Sequence, residues 1–163
     1  MVLVVLAGML IFGTGAWLLP RPSQAPARSP ATGHIDAAPM EIAVLDGATL
    51  RVHERVIRLE GIQPPARGDA CQTAAGAGFD CGVAATNALA ALVRQGPLDC
   101  TLHGHDDMGR PLAMCHWAGG NLNVALVRAG WAYAEGGEPD LAAAETQARD
   151  GRRGLWGDGR TSW

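Results

Sequence analysis

The order of strand-like and helix-like patterns predicts an α+β domain, mainly β: a small five-stranded Greek-key barrel with three helices, preceded by one N-terminal hydrophobic helix. Residues 41–59 hold three short apolar segments separated by turn residues. A second hairpin pattern spans 98–117, and helical periodicity falls once between the two blocks and twice after them. Five short strands, with a helix after the third and two more at the end, suit such a barrel.

The elements follow in chain order. Residues 1–19 run uncharged from Met1 to Leu19 and stop at Pro20, long enough for a membrane-spanning helix. A signal peptide is the rival reading, with Ala25-Pro26-Ala27 as a small-residue cleavage site, although no Lys or Arg precedes the run. Residues 20–40, rich in Pro, Ala and Ser, read as a tether, and the domain is expected over 41–163. Glu41 to Leu45 leads into the hairpin signal Asp46-Gly47, Thr49 to His53 alternates, and Glu54-Arg55 turns into Val56 to Leu59. Residues 63–79 are a Pro/Gly/Ala-rich loop with no periodicity. Asp80 is the expected N-cap of a helix over about 81–95, with Ala85, Leu89, Leu92 and Val93 on its apolar face and Gly96 as its stop. Leu98 to His103 and Pro111 to Trp117 form the second hairpin. Asn121 caps a short helix ended by Gly130. Pro139 opens a third, with Leu141, Ala144 and Ala148 on one face and Arg149, Arg152 and Arg153 near its C-terminus.

Charge and cysteines bound the function. All 13 basic residues are Arg. Of these and the 16 acids, Arg21, Arg28 and Asp36 precede Glu41, which leaves 11 against 15 and a net charge of −4 for residues 41–163. A non-specific nucleic-acid binder needs a basic excess, because phosphate contacts supply its affinity. Four cysteines with an export-like leader favour disulfides, and hence a membrane-anchored or secreted protein with its domain on the periplasmic or extracytoplasmic side. Arg21 and Arg28, just after the apolar run, speak weakly against export. Cys100 and Cys115 are symmetric about the hairpin centre at Asp107-Met108, and Cys71 and Cys81 bracket the Gly/Ala-rich loop. The expected pairs, out of three possible connectivities, are therefore Cys71–Cys81 and Cys100–Cys115. A zinc site competes with this reading, but no C-x-x-C pair supports it.

Several motifs in register carry a resemblance. They are Val44-Leu45-Asp46-Gly47-x-Thr49, Arg58-Leu59-x-Gly61-Ile62, Asp107-x-Gly109-Arg110, Asn123-x-Ala125-Leu126-Val127-Arg128-x-Gly130 and Gly154-Leu155-Trp156. From about 41 to 158 the chain resembles the staphylococcal-nuclease-like (thermonuclease) family, in its secreted or membrane-anchored bacterial form. The resemblance implies an OB-fold barrel with three helices and, in active members, calcium-dependent hydrolysis of DNA and RNA. The family's two phosphate-gripping arginines map onto Arg58 and Arg110, and Arg128 maps onto a structural arginine. Asp46 matches a further acid near the metal. The family pattern calls for an acid at Ala48, another at Gln63 and a Glu at Ala66, and Met108 stands where an aromatic is often found.

Alanine offers no side-chain oxygen and glutamine only a neutral carbonyl, so three metal-binding or water-activating groups are missing. The expectation is a catalytically degenerate module with no catalytic residues, no metal and no cofactor. Its ligand would be a phosphate-bearing or nucleotide-like group on Arg58 and Arg110, or a protein partner, with the membrane engaged through residues 1–19. One alternative is an active nuclease whose calcium site is rebuilt from Asp46, Glu60, Asp69 or Asp106. Another is a structural envelope domain. For the arginines the plain reading is pairing with Asp46, Glu60 or Asp106. His103 and His105 would share a strand face, a weak metal motif. Trp117, Trp131 and Trp156 are expected in the core or at the barrel rim, and Trp163 is terminal.

Overall fold

The structure is a computed structural model that describes residues 32–73 and 75–157. The apolar run 1–19 and Trp163 lie outside the described residues. Among those described, no helix is long and apolar enough to cross a membrane.

The main sheet is built from β1 (Gly33–Ala37), β2 (Ile42–Val44), β3 (Thr49–Val52) and β4 (Arg55–Leu59), with three later strands. β5 (Ile62–Gln63), β6 (Ala70–Gln72) and β7 (Gly78–Asp80) are short and lie outside it. Helix α1 (Cys81–Val93) leads to β8 (Leu98–His105), β9 (Pro111–Trp117) and β10 (Gly120–Asn121). Helix α2 (Leu122–Arg128), β11 (Tyr133–Ala134) and helix α3 (Pro139–Asp150) complete the domain. The strand order is β1-β8-β9-β4-β3-β2, with β10 on β9. All neighbours are antiparallel except β4 and β9, which run parallel.

Simple distances curl this sheet. Laid flat, its two end strands would stand five steps of about 4.8 Å apart, or ~24 Å. Yet β1 and β2 are joined by only four residues, Ala38 to Glu41, three of them a 3-10 turn. That connection reaches at most ~18 Å. β1 and β2 thus act as one interrupted strand that pairs with β8 at one end and β3 at the other, which gives the Greek-key, OB-type arrangement expected. The tether reading of 20–40 does not hold for Gly33 to Ala37. Ile35 faces Cys100 across the ladder and Ala37 is buried. The signal missed was pairing with β8, more than 60 residues away, because the GHIDA sequence has too few apolar residues for a strand pattern.

Alternation sorts the barrel strands into inner and outer faces. Ile57 and Leu59 of β4 point inward, as do Leu98, Cys100 and Leu102 of β8 and Ala113 and Cys115 of β9. Leu89 of α1, Leu122 and Leu126 of α2, and Leu141 of α3 cover them in one core. The helices start where expected. Asp80 accepts from the Val83 N–H at 2.8 Å and Asn121 from the Val124 N–H at 3.0 Å, while Pro139 occupies the first turn of α3. The aperiodic 63–79 stretch does contain short strands: β5 pairs with β11, and β6 with β7. Two- and three-residue strands are too short to show a period.

The disulfides are Cys71–Cys81 and Cys100–Cys115, the connectivity expected from their spacing. Cys100 and Cys115 face each other directly in the β8–β9 ladder with Cα atoms 4.0 Å apart. Two disulfides fit an oxidising, extracytoplasmic environment. A bulge between His103 and His105, with Gly104 at φ 54°, interrupts the alternation expected to bring the two histidines together. Among the described residues, no group of three His, Cys, Asp or Glu side chains is placed to hold a metal ion.

A buried amide locks the parallel junction. Asn123 is fully buried at the start of α2. Its Oδ1 accepts from the Cys115 N–H at 3.2 Å, and its Nδ2 donates to the Glu60 carbonyl at 2.8 Å and the Ala113 carbonyl at 3.1 Å. This one side chain ties α2 to β9 and to the end of β4, where Arg58 sits. It belongs to a motif noted in the sequence, but its role comes from three backbone groups distant along the chain.

Candidate functional site

Three segments meet at the rim of the barrel. The first is the turn between β2 and β3. Asp46 Oδ1 accepts from the Ala48 N–H at 2.8 Å, and the Ala48 carbonyl accepts from the Leu59 N–H at 2.7 Å. The Asp46-Gly47 signal does mark a hairpin, but five residues separate the paired Val44 and Leu50, so the turn is wider than a two-residue one. The second segment, residues 63–67, leaves β5 with Pro64 and Pro65 buried. The third is the start of α1. A Cβ on Gly82 would overlap the Ala66 carbonyl, and one on Gly47 would stand 2.7 Å from Pro64 Cβ. Both glycines are there for close approach, and they pin the 63–67 loop between turn and helix.

Arg58 reaches this rim because it alternates with inward-facing Ile57 and Leu59 and so points out of the barrel. Its Nη2 donates to Gln63 Oε1 at 2.8 Å. Among the described residues it has no carboxylate within 4.0 Å, so the expected acidic partners Asp46 and Glu60 do not pair with it. A cavity of about 400 Å³ is lined by Leu45, Asp46, Arg58, Gln63, Pro64, Pro65, Ala66 and Arg67. Arg67 was not singled out in the sequence. Its Nη2 donates to the Leu45 carbonyl at 3.0 Å, across from its own loop. The available signal was a cation directly after the Pro64-Pro65-Ala66 stretch, which none of the motifs quoted above includes.

Arg110 does not line this cavity. Its Nε donates to Asp106 Oδ2 at 2.7 Å and its Nη1 to Thr49 Oγ1 at 3.3 Å. The backbone N–H groups of Met108 and Arg110 both donate to Asp106 Oδ1, at 3.0 and 2.8 Å. Burial works against the Asp106 charge, but the Arg110 N–H and guanidinium and the Met108 N–H prevail and hold its carboxyl below the usual range. Of the pairings weighed from sequence, Arg110 with Asp106 is the one that forms. Arg128 is exposed, and its carbonyl accepts from Arg153 Nη1 at 3.3 Å.

Of the acid positions, Ala48 is completely buried, and Ala66 faces the cavity with a methyl group. The carboxylates weighed for a rebuilt metal site are dispersed. Asp69 accepts from the Ala66 N–H at 2.7 Å, Asp106 is bound to Arg110, and Glu60 lines a different cavity. That cavity, about 530 Å³, lies on the other side of Arg58 and includes Glu60, Glu135, Glu138 and His103. A third, about 660 Å³, shares Gln63 to Ala66 as a wall and is otherwise lined by Asp69, Tyr133, Ala134, Glu145, Arg149 and Trp156. There Arg149 stacks on Trp156 at 4.2 Å and pairs with Glu145 at 3.3 Å. Trp156 is buried, while Trp117 and Trp131 are half-buried against the core, in keeping with a core and rim role. Chemically, the rim presents guanidinium donors, one carboxylate and an apolar wall, a set suited to gripping an oxyanion.

A model of the family described as staphylococcal nuclease homologue matches residues 56–158. No curated protein matches the chain at a significant level. With well over half of its length matched, the chain belongs to the staphylococcal nuclease homologue family.

Proposed function

We propose that this chain is a catalytically degenerate member of the family, a binding module that holds an anionic, phosphate-bearing ligand and does not hydrolyse phosphodiesters. The observation that carries the reading is Gln63. It replaces an acid of the family pattern, and its carbonyl oxygen is directed to Arg58. Calcium takes six to eight oxygen ligands. Ala48 and Ala66 supply no side-chain oxygen, and the acids beside them, Asp46 and Asp69, are each turned to a backbone N–H. These residues do not fit calcium. The group that would orient or deprotonate a water is absent with Ala66.

Arg58 is the anchor of the proposed site, and Arg110 its second family arginine. Long nucleic acid is a poor ligand for a domain of net charge −4 whose groove beyond Arg58 carries Glu60, Glu135 and Glu138. The module works outside the cytoplasm, delivered by residues 1–19 as anchor or signal peptide.

A nuclease assay of the full chain beside its Ala48→Asp/Gln63→Asp/Ala66→Glu variant tests the proposal. One missing acid–base group commonly costs about 10²- to 10⁴-fold, and losses among cooperating groups do not simply add. The expected result is calcium-dependent cleavage by the restored variant alone. Robust calcium-dependent cleavage of DNA by the unaltered chain would falsify the reading.

A further inference from the structure

We infer that Arg67 and Arg58 together form a metal-independent site for a terminal phosphoryl group, with Arg67 supplying the positive charge that a calcium ion would otherwise bring. The inference rests on the anion-binding reading above and adds to it the second cation, the metal independence and the class of ligand.

Arg58 on β4, bonded to Gln63 at one end of the 63–67 segment, and Arg67 at the other end line the same cavity of about 400 Å³. Each is held by a neutral carbonyl, Arg58 by Gln63 and Arg67 by Leu45. Neither has a carboxylate within 4.0 Å among the described residues. Three acids lie further off, one of them Asp69, whose Oδ2 accepts from the Ala66 N–H at 2.7 Å. Asp46 shares the cavity wall, and Asp80 at the head of α1 feels the Arg67 charge. Within the lining, two guanidinium groups against Asp46 leave a net charge of +1 with no metal present.

A carboxylate at 63 would pair with Arg58 and cancel that charge. Glutamine orients the guanidinium through one hydrogen bond and leaves its charge and remaining donors for a ligand. The three terminal oxygens of a phosphoryl group let two guanidinium groups bind from different sides with one oxygen shared, whereas a planar carboxylate is matched to one fork.

Charge also selects a phosphate at a chain end over one inside a chain. A strand continuing past Arg58 would run beside Glu60, Glu135 and Glu138. In the other direction, over Pro64 and Pro65, the wall is shared with the cavity of Tyr133 and Trp156, which has room for the organic remainder of a monoester.

The test is calorimetric titration of the full chain, with calcium chelated, using three probes: inorganic phosphate, a nucleoside 5′-monophosphate and an oligonucleotide without terminal phosphate. The first two should bind and the third should not, and added calcium should leave the affinities unchanged. Arg67→Ala should weaken phosphate binding about 10- to 100-fold, as expected for loss of charge-assisted hydrogen bonds. Arg67→Lys should weaken it less, and both variants should melt within a few degrees of the unaltered chain. If Arg58→Ala or Arg110→Ala abolishes binding while Arg67→Ala does not, the Arg67 assignment fails and the anion-binding reading survives. Phosphate binding only with calcium, or oligonucleotide binding as tight as that of the monophosphate, also overturns the inference. No binding by any probe overturns both.

Discussion

Replacing Asn123 by alanine isolates the link between fold and site. The amide makes three hydrogen bonds, but their losses are unequal. The Ala113 carbonyl also accepts from the Glu60 N–H at 2.9 Å and stays satisfied. The Cys115 N–H and the Glu60 carbonyl lose the only side-chain partner they have among the described residues. An unsatisfied buried backbone group costs about 1–3 kcal/mol, so two cost about 2–6 kcal/mol. For a domain of this size, a loss of 1 kcal/mol lowers Tm by about 4 °C, which gives a fall of roughly 8–24 °C. Urea unfolding with intact disulfides, read by circular dichroism, should show a lower midpoint at unchanged slope. Asn123→Asp is the sharper control. It keeps the acceptor for Cys115 but turns an oxygen toward two carbonyls, so it should be at least as damaging at neutral pH and recover in part in acid, where the carboxyl can donate. Because the Glu60 carbonyl lies between Arg58 and Gln63 in the chain, phosphate affinity should drop as well. A loss below about 1 kcal/mol for Asn123→Ala would refute the view that this amide holds the β4–β9 junction together.

Two further predictions concern the rim. Gly82→Ala should destabilise by about 1–3 kcal/mol although alanine is the better helix former, because the new Cβ overlaps the Ala66 carbonyl; a thermal melt checks this, and a neutral or stabilising result would mean that the 63–67 loop is not clamped by α1. Acid sensitivity should follow Asp80 and Asp106. Asp80 is held below its ordinary range chiefly by the Val83 N–H, then by those of Gly68 and Gly82 and the Arg67 charge, with burial opposing. For both groups the folded value lies below the unfolded one, near 3.9, so the unfolded chain binds more protons and stability rises with pH. Their contribution is complete above that value and is lost as pH falls through the lowered folded values. Asp106→Asn and Asp80→Asn should each flatten the pH dependence of stability below about pH 4, and an unchanged slope would exclude the group concerned.

Much of the fold was readable along the chain because local physics sets it. Alternation marks β3, β4, β8 and β9, Asp80 and Asn121 are capping residues in the right places, and hairpin symmetry gives the Cys100–Cys115 pair. β1 was not readable, since a strand of five residues with little apolar character exists only through its pairing with β8. The histidine pair failed for a related reason: one bulge at Gly104 defeats a period-two argument.

The site divides along the same line. Residue identity alone fixes that Ala48, Gln63 and Ala66 are not acids, while only the fold decides that Asp69, Asp106 and Glu60 are dispersed and do not gather in their place. Residue identity could not say how the arginines are used. The pairing of Arg110 with Asp106, the turn of Gln63 toward Arg58 and the reach of Arg67 to the Leu45 carbonyl are contacts among side chains and segments brought together by the curl of the sheet and the clamp of α1. Such contacts follow no sequence period, because they are set by three-dimensional distance, and a cation's chemistry depends on which neighbour it meets.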